Sequence, residues 1–342
     1  MNNLEKLLDI YFNEKFLKAY EIHEGGELNY FNYKCDYGEM EIFFIKRDLS
    51  VFKGGDGFFD ITTPYGYGGP KIRDCEQGKE KKLALCFFEA FEEYCEKERI
   101  VSFFCRFHPI IQNESYCGCG FDEISLSRRV VVTDMTRDLA EEFTSRAVKD
   151  ASYAQRKGVS FEIDTAGKYR EHFRKMYYHS MHEKHAGENY FFSREYFNYL
   201  FDALPENVLL ATSLYMGRPI CHRMIFIYGD VAYGHLICRD YDYAHFRPND
   251  LTCVQSIEYA KEKGCKYFVS GGGLSNDPND SLLKYKMKFS TSPLRDFYVG
   301  KKVYNQEIYD NICRYIVQLP GDGIDSEFFP KYRSPDSSVT GI

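Results

Sequence analysis

Three strand-like runs follow one another at residues 208–215, 219–228 and 231–239, with almost nothing between them. Connections that short join only antiparallel neighbours, so this stretch must form a three-strand meander in a sheet. The second connection, Gly229-Asp230, is a two-residue turn that pairs Tyr228 with Val231 and sets the register. On either side the apolar period becomes helical. Helices are expected at 138–157, 168–183 and 193–204, with a short strand at 159–163. After the meander come a helix at 250–263 closed by Gly264, a strand at 266–270, a short helix at 281–289, a strand at 294–299 and a last helix at 306–319. The order β-α-α-β-β-β-α-β-α-β predicts a mixed α/β architecture with helices packed against the sheet.

The first half reads less clearly. Residues 29–46 form two strands around Asp36-Tyr37-Gly38, residues 76–96 a helix with Leu83, Phe87, Phe91 and Tyr94 at helical spacing, and residues 101–106 a buried strand. The opening MNNLEKLLDIYFNEKF reads as an amphipathic helix and not as an export signal. At 342 residues the length suggests two domains, and the best boundary lies within SLSRRVVVTDMTRD, giving 1–130 and 131–342.

Composition narrows the class of function. A net charge of −7 argues against a protein that coats duplex nucleic acid, and no apolar run is long enough to span a membrane. The 12 cysteines are scattered without a C-x-x-C pair, so they read as reduced thiols in a cytosolic protein and not as a disulfide or zinc framework. His179, His182 and His185 share no single helix face, and no metal site is assigned.

Several residues carry chemical potential. On the short helix Leu282, Leu283, Tyr285, Lys286 and Phe289 share one face, whereas Lys284 and Lys288 should point to solvent. A lysine in an apolar stripe either snorkels to the helix edge or loses hydration and finds a partner; spacing leaves both open. Gly271-Gly272-Gly273, followed by a helix capped by Asn279 or Asp280, is either a plain turn or a set of N–H donors for an anion. Strand alternation puts His222, Met224 and Phe226 on one face with Tyr233, His235 and Arg239, which is either an exposed sheet face with incidental histidines or a cleft wall where His235 or His222 accepts a proton from an amine. The loop Tyr65-Gly66-Tyr67-Gly68-Gly69-Pro70 is either structural or a recognition loop, with Arg106 and His108 as companions for an anionic ligand.

The element order, with the phrases PYGYGGP, RFHP and LLKYKMKF, resembles the fold of GCN5-type N-acetyltransferases (GNAT), in its tandem branch of FemABX-type aminoacyl transferases and BioF2-like relatives. The resemblance covers most of residues 131–310 and, less fully, 29–121. It implies two tandem GNAT-like domains, each a mixed sheet flanked by helices, in a cytosolic acyltransferase. Such an enzyme moves an aminoacyl group from tRNA, or an acyl group from coenzyme A, onto an amine of a cell-wall precursor or related compound. It holds no tight cofactor. The alternatives are a coenzyme A-dependent N-acetyltransferase on a small metabolite or sugar amine, and a tandem GNAT-like protein that only binds a ligand.

The resemblance also implies that Lys286, beside Tyr285, is the catalytic lysine, and that Tyr65, Tyr67, Gly68 and Gly69 help bind the acceptor. It puts donor binding at Arg247, Asn249, Gly271, Gly272 and Gly273. Two departures stand out. The coiled-coil arm of some relatives is missing, and the coenzyme A loop Q/R-x-x-G-x-G/A is replaced by Arg247-Pro248-Asn249-Asp250 without glycine. Arg146, Lys149, Tyr153 and Arg156 line one helix face, which is either a plain solvated face or a track for tRNA.

Overall fold

The computed structural model describes residues 7–187, 190–317 and 327–334. The expected N-terminal helix is not one piece among these. Asp9 accepts from the Tyr11 N–H and starts a single 3-10 turn, Ile10–Phe12. Asn13 then accepts from the Phe16 N–H and opens the four-residue helix α1, Glu14–Leu17, before α2, Ala19–Glu24. Two side-chain caps so close together restart the backbone instead of letting one helix run on.

The chain forms two compact units. The first contains residues 20–127 and the described residues from Phe297 onward; the second contains Leu7–Ala19 and Arg128–Asp296. In the first unit, β1 (Glu27–Cys35) and β2 (Gly38–Asp48) form the expected hairpin. The sequence reading missed β3 (Phe59–Thr62) and β4 (Lys71–Cys75), which are too short to show a period. β3 joins β2 to β5 (Ile100–Arg106), running parallel to the latter, and β4 pairs with β2. The helix α3 (Glu80–Lys97) lays Leu83, Phe87 and Phe91 against Phe44 and Phe103. Burying each such ring contributes about 1.5–3 kcal/mol.

In the second unit, β6 (Glu123–Asp134) enters from the first. The helix expected at 138–157 breaks into α4 (Leu139–Glu142) and α5 (Ser145–Arg156), because Thr144 caps α5 through the Ala147 N–H. Then follow β7 (Val159–Asp164), α6 (Arg170–Glu183), α7 (Arg194–Ala203) and the meander β8 (Val208–Tyr215), β9 (Arg218–Tyr228) and β10 (Val231–Arg239). Helix α8 (Pro248–Glu262) leads to β11 (Tyr267–Gly272), α9 (Ser281–Lys286) and a 3-10 turn, Met287–Phe289. Strand β12 (Arg295–Val303) carries the chain back to the first unit, where it pairs antiparallel with β5 ahead of α10 (Gln306–Val317).

Within the second unit the strand order is β6-β11-β10-β9-β8-β7, with β10 and β11 parallel and the other pairs antiparallel. The meander has the register set by the Gly229-Asp230 turn, Val231 opposite Tyr228. One sheet face is covered by α5 and α8, whose Ala147, Ala151, Leu251 and Ile257 pack with Ile225, Ile227 and Ala232. The other face is covered by α6, α7 and the N-terminal turns, where Phe16 meets Phe226 at 4.9 Å.

Candidate active site

The site forms where β11 ends. A bulge at Ser270 shifts the β6–β11 register between Val269 and Gly271, and Gly271 has φ +78°, a conformation that a side chain would strain. A Cβ on Gly271 would also stand 3.2 Å from the Lys286 Nζ. Asp280 caps α9 by accepting from the Leu283 N–H and so directs the helix back at this turn. Lys286 Nζ donates to the Gly272 carbonyl at 2.7 Å. Its carbon stem lies half-buried, and burial together with the nearby Arg223 and Arg128 guanidiniums lowers its pKa to about 8. Lys286 therefore remains an ammonium at neutral pH but a readily deprotonated one. Tyr285 beside it packs edge-on to Phe289 at 5.5 Å, and burial pushes its phenol well up.

The glycine run is not the open anion cradle that its composition suggests. The Asp280 carboxylate takes the N–H groups of Leu274 and Ser275, and a Cβ on Gly273 would meet it at 2.5 Å. The Gly272 and Gly273 carbonyls accept from Lys286 and Arg128. The turn is thus lined by carbonyl acceptors and cations, and its Leu274 and Ser275 N–H donors are already taken.

Arg223 was not singled out from sequence. It sits on β9 on the α8 face, 5 % exposed, and its guanidinium spans Gly234, where a Cβ would lie 1.9 Å from Nη2. It stacks on Phe268 at 4.9 Å and donates weakly to Ser270 Oγ at 3.4 Å.

Lys288 corrects another expectation. It does not face solvent; it is held by Asp150 at 2.7 Å and by Asp250, and Asp150 also pairs with Arg247 and Arg146. The backbone tightens to 3-10 after Lys286, which turns Lys288 away from the position a continuous α-helix assigns it. Of the donor candidates, Arg247 belongs to this cluster and Asn249 bonds elsewhere. Arg247, with φ +57°, leads into α8 and lies over the Tyr153 ring, and Asn249 accepts from Cys221 Sγ. Lys284 is exposed and donates to Asn279.

The cleft wall expected on the hairpin is absent. A bulge at His235 shifts the register, so Leu236 lies opposite Met224 and Cys238 opposite His222. Beyond it Leu236 and Cys238 join the His222 face and Arg239 leaves it, the reverse of simple alternation. That face is packed under helices. His222 is fully buried, bonded to His172 at 2.8 Å and Thr212 at 2.9 Å, and burial followed by His172 lowers its pKa to about 3. Tyr233 donates to Asp9, and His235 lies 3.2 Å from the Tyr196 hydroxyl and 4.6 Å, ring to ring, from Phe226. These side chains lie on the α6–α7 side of the sheet, whereas Lys286 and Arg223 lie toward α8. Neither histidine can take a proton beside Lys286. Arg239 covers the Tyr241 ring at 5.1 Å.

In the first unit the loop 65–70 is fixed from beneath. Asn113 Nδ2 donates to the Gly68 and Pro70 carbonyls at 2.8 and 2.9 Å, and Gly69 has φ +80° above Phe107. His108 is buried and accepts the Ile110 and Ile111 N–H groups at Nδ1, so it shapes the turn and does not meet a ligand. Arg106 donates to Thr62 and to the Thr63 carbonyl and lies 3.7 Å from Glu24. Tyr65 meets His23 at 5.9 Å and Tyr67 meets Phe297 at 5.2 Å; both tyrosines stay half-exposed.

Residues 132–287 match a family described as an acetyltransferase (GNAT) domain. Among solved structures the chain is similar to FemX, at 12 % identity and a TM-score of 0.69, with 90 % of this chain and 96 % of that one covered. It is also similar to L-PGS from Bacillus licheniformis, at 14 % identity and a TM-score of 0.53, covering 88 % and 95 %. A conserved protein of unknown function from Bacteroides thetaiotaomicron matches at 9 % identity and a TM-score of 0.56, covering 86 % and 91 %. No curated protein matches the chain in sequence. Among the described residues no helix is long and apolar enough to cross a membrane. The chain thus shares the fold of FemX, and the part of it that matches the acetyltransferase (GNAT) domain family, residues 132–287, contains both Lys286 and the parallel β10–β11 pair.

Proposed function

We propose that Lys286 supports direct transfer of an acyl group from an activated ester or thioester to an amine. The amine nitrogen attacks the carbonyl carbon, and the C–N bond forms as the carbonyl oxygen becomes an oxyanion. The Lys286 ammonium stabilises that oxyanion. Collapse breaks the bond to the donor oxygen or sulfur, and the proton lost by the amine goes to the leaving group. The observation that carries the reading is a half-buried lysine bonded to a carbonyl and flanked by cations, with a pKa near 8. A preorganised ammonium that forms no ion pair among the described residues keeps its charge for the negative charge that develops during reaction.

The GNAT domain makes an acyl-coenzyme A thioester the first donor to try. One observation favours aminoacyl-tRNA instead: the start of α8 has no glycine, carries Pro248 and is occupied by the Asp150–Lys288–Asp250–Arg247 ion pairs. Lys288 and Arg247 are already engaged by Asp150 and Asp250, so these cations are not free to hold a pyrophosphate. The acceptor in this reading is an amine on a cell-wall precursor or related amino compound, bound in part by the loop 65–70, and the protein works in the cytoplasm. The test is purified protein with a panel of amines and either acyl-coenzyme A, following thiol release, or charged tRNA, following deacylation. Amine-dependent release from one donor supports the reading; release from neither refutes it.

A further inference from the structure

The parallel pairing of β10 and β11 stops at Tyr233 and Val269, although both strands continue, and each has a bulge immediately beyond, at His235 and Ser270. Arg223 lies against the β10 edge of this divergence, over Gly234. Its Nη1 is buried and has no hydrogen-bond partner among the described residues, and Arg223 makes no ion pair there. Its remaining neighbours are a ring, a hydroxyl at the limit of bonding, and the Lys286 ammonium, whose charge it opposes. Arg170 and Arg174 also bury an Nε unpartnered among the described residues, but each has a carboxylate on another guanidinium nitrogen, Asp202 and Glu171 respectively. Arg47, on β2, has Asp60 at 2.8 Å and Glu24 at 3.5 Å. A buried charge without a counter-ion is costly and is retained where a ligand supplies the missing anion.

We infer that Arg223, with Ser270, is a binding site for a carboxylate carried by one of the two substrates, with the Lys286 ammonium nearby as a second positive charge and not as a ligand. A guanidinium with a free N–H edge, in reach of a hydroxyl and near a second cation, suits a planar carboxylate, which accepts on both oxygens. Gly234 is required because any side chain there displaces the guanidinium. The carboxylate belongs either to the acyl group, as in a dicarboxylic half-thioester, or to an amino-acid acceptor. Naming it a substrate group rests on the acyl-transfer reading; the site itself does not.

Calorimetric titration of the full chain with succinate and with neutral succinamide tests the site without turnover. Wild type should bind succinate and not succinamide. Arg223→Gln should weaken succinate at least about tenfold, as expected on losing a charged hydrogen bond. Lys286→Met should still bind it, less tightly. Arg223→Met should melt at a higher temperature than wild type without ligand, since it removes an unpaired charge, and should lose the succinate response. Absence of succinate binding to wild type, or unchanged binding in a folded Arg223→Gln or Arg223→Met variant, overturns the site. The source follows from rates with succinyl- against butyryl-coenzyme A, and with alanine against alaninamide. A preference for the carboxylate in one series, lost in Arg223→Gln, assigns it; no preference in either overturns the substrate role. Normal turnover in Lys286→Met would remove the oxyanion mechanism while leaving the titration result intact.

Discussion

Two regions of the second unit bury cations in opposite ways. At the start of α8, Lys288 and Arg247 face Asp150 and Asp250, so positive and negative charges balance and each side chain has a partner. At the end of β11, Lys286 meets a carbonyl, and Arg223 meets a ring and a hydroxyl. Balanced charge is what holding a fold requires, since an ion pair taken out of water must recover its lost hydration locally. Unbalanced positive charge, held in place by a positive-φ glycine turn and two bulges, is what a site awaiting an anion requires. The lysines at 286 and 288 are near neighbours in sequence, yet Lys288 is tied into ion pairs whereas Lys286 is the one proposed for the chemistry.

The largest effect expected from this contrast is on stability. Lys288→Met leaves Asp150 and Asp250 without their shared cation and should cost about 3 kcal/mol in chemical denaturation, the low end for a broken buried pair because Lys288 retains 16 % exposure. A variant as stable as wild type would erase the distinction. The next effect separates the regions by pH. The folded pKa of Lys286 is lowered from 10.5 to about 8, so between those values the unfolded chain binds more protons. Stability relative to Lys286→Met should therefore rise from pH 8 to 10.5, while turnover, which needs the ammonium, should fall across the same window. Parallel movement of the two would contradict the assignment. Tyr67→Ala should weaken acceptor affinity by about threefold to tenfold, as loss of one aromatic contact does, with donor affinity unchanged. Lys284→Ala, on the exposed side of α9, should shift turnover by no more than about twofold.

The contrast was only partly legible in the sequence. The meander, its Gly229-Asp230 register and the helices around it followed from period and turn chemistry, which are local. The bulges at His235 and Ser270 did not, because one extra residue reverses the side-chain faces and leaves no compositional mark. The His235 bulge is why Arg239 leaves the face of His222 and Tyr233, and that face is no cleft wall because α6 and α7 cover it. Lys288 was misplaced because its partners Asp150 and Asp250 are 138 and 38 residues away. Arg223 did leave a signal. It continues the Ile225, Ile227 alternation on an apolar face, and a charge in such a series marks a buried ion with a task.

The most direct measurement is the turnover of Lys286→Met once its melting temperature shows a folded protein. The account predicts a loss of about 10²-fold or more in kcat, with KM for the donor little changed, since the ammonium acts on the oxyanion and not on the ground state. Near-normal kcat in the folded variant would contradict it.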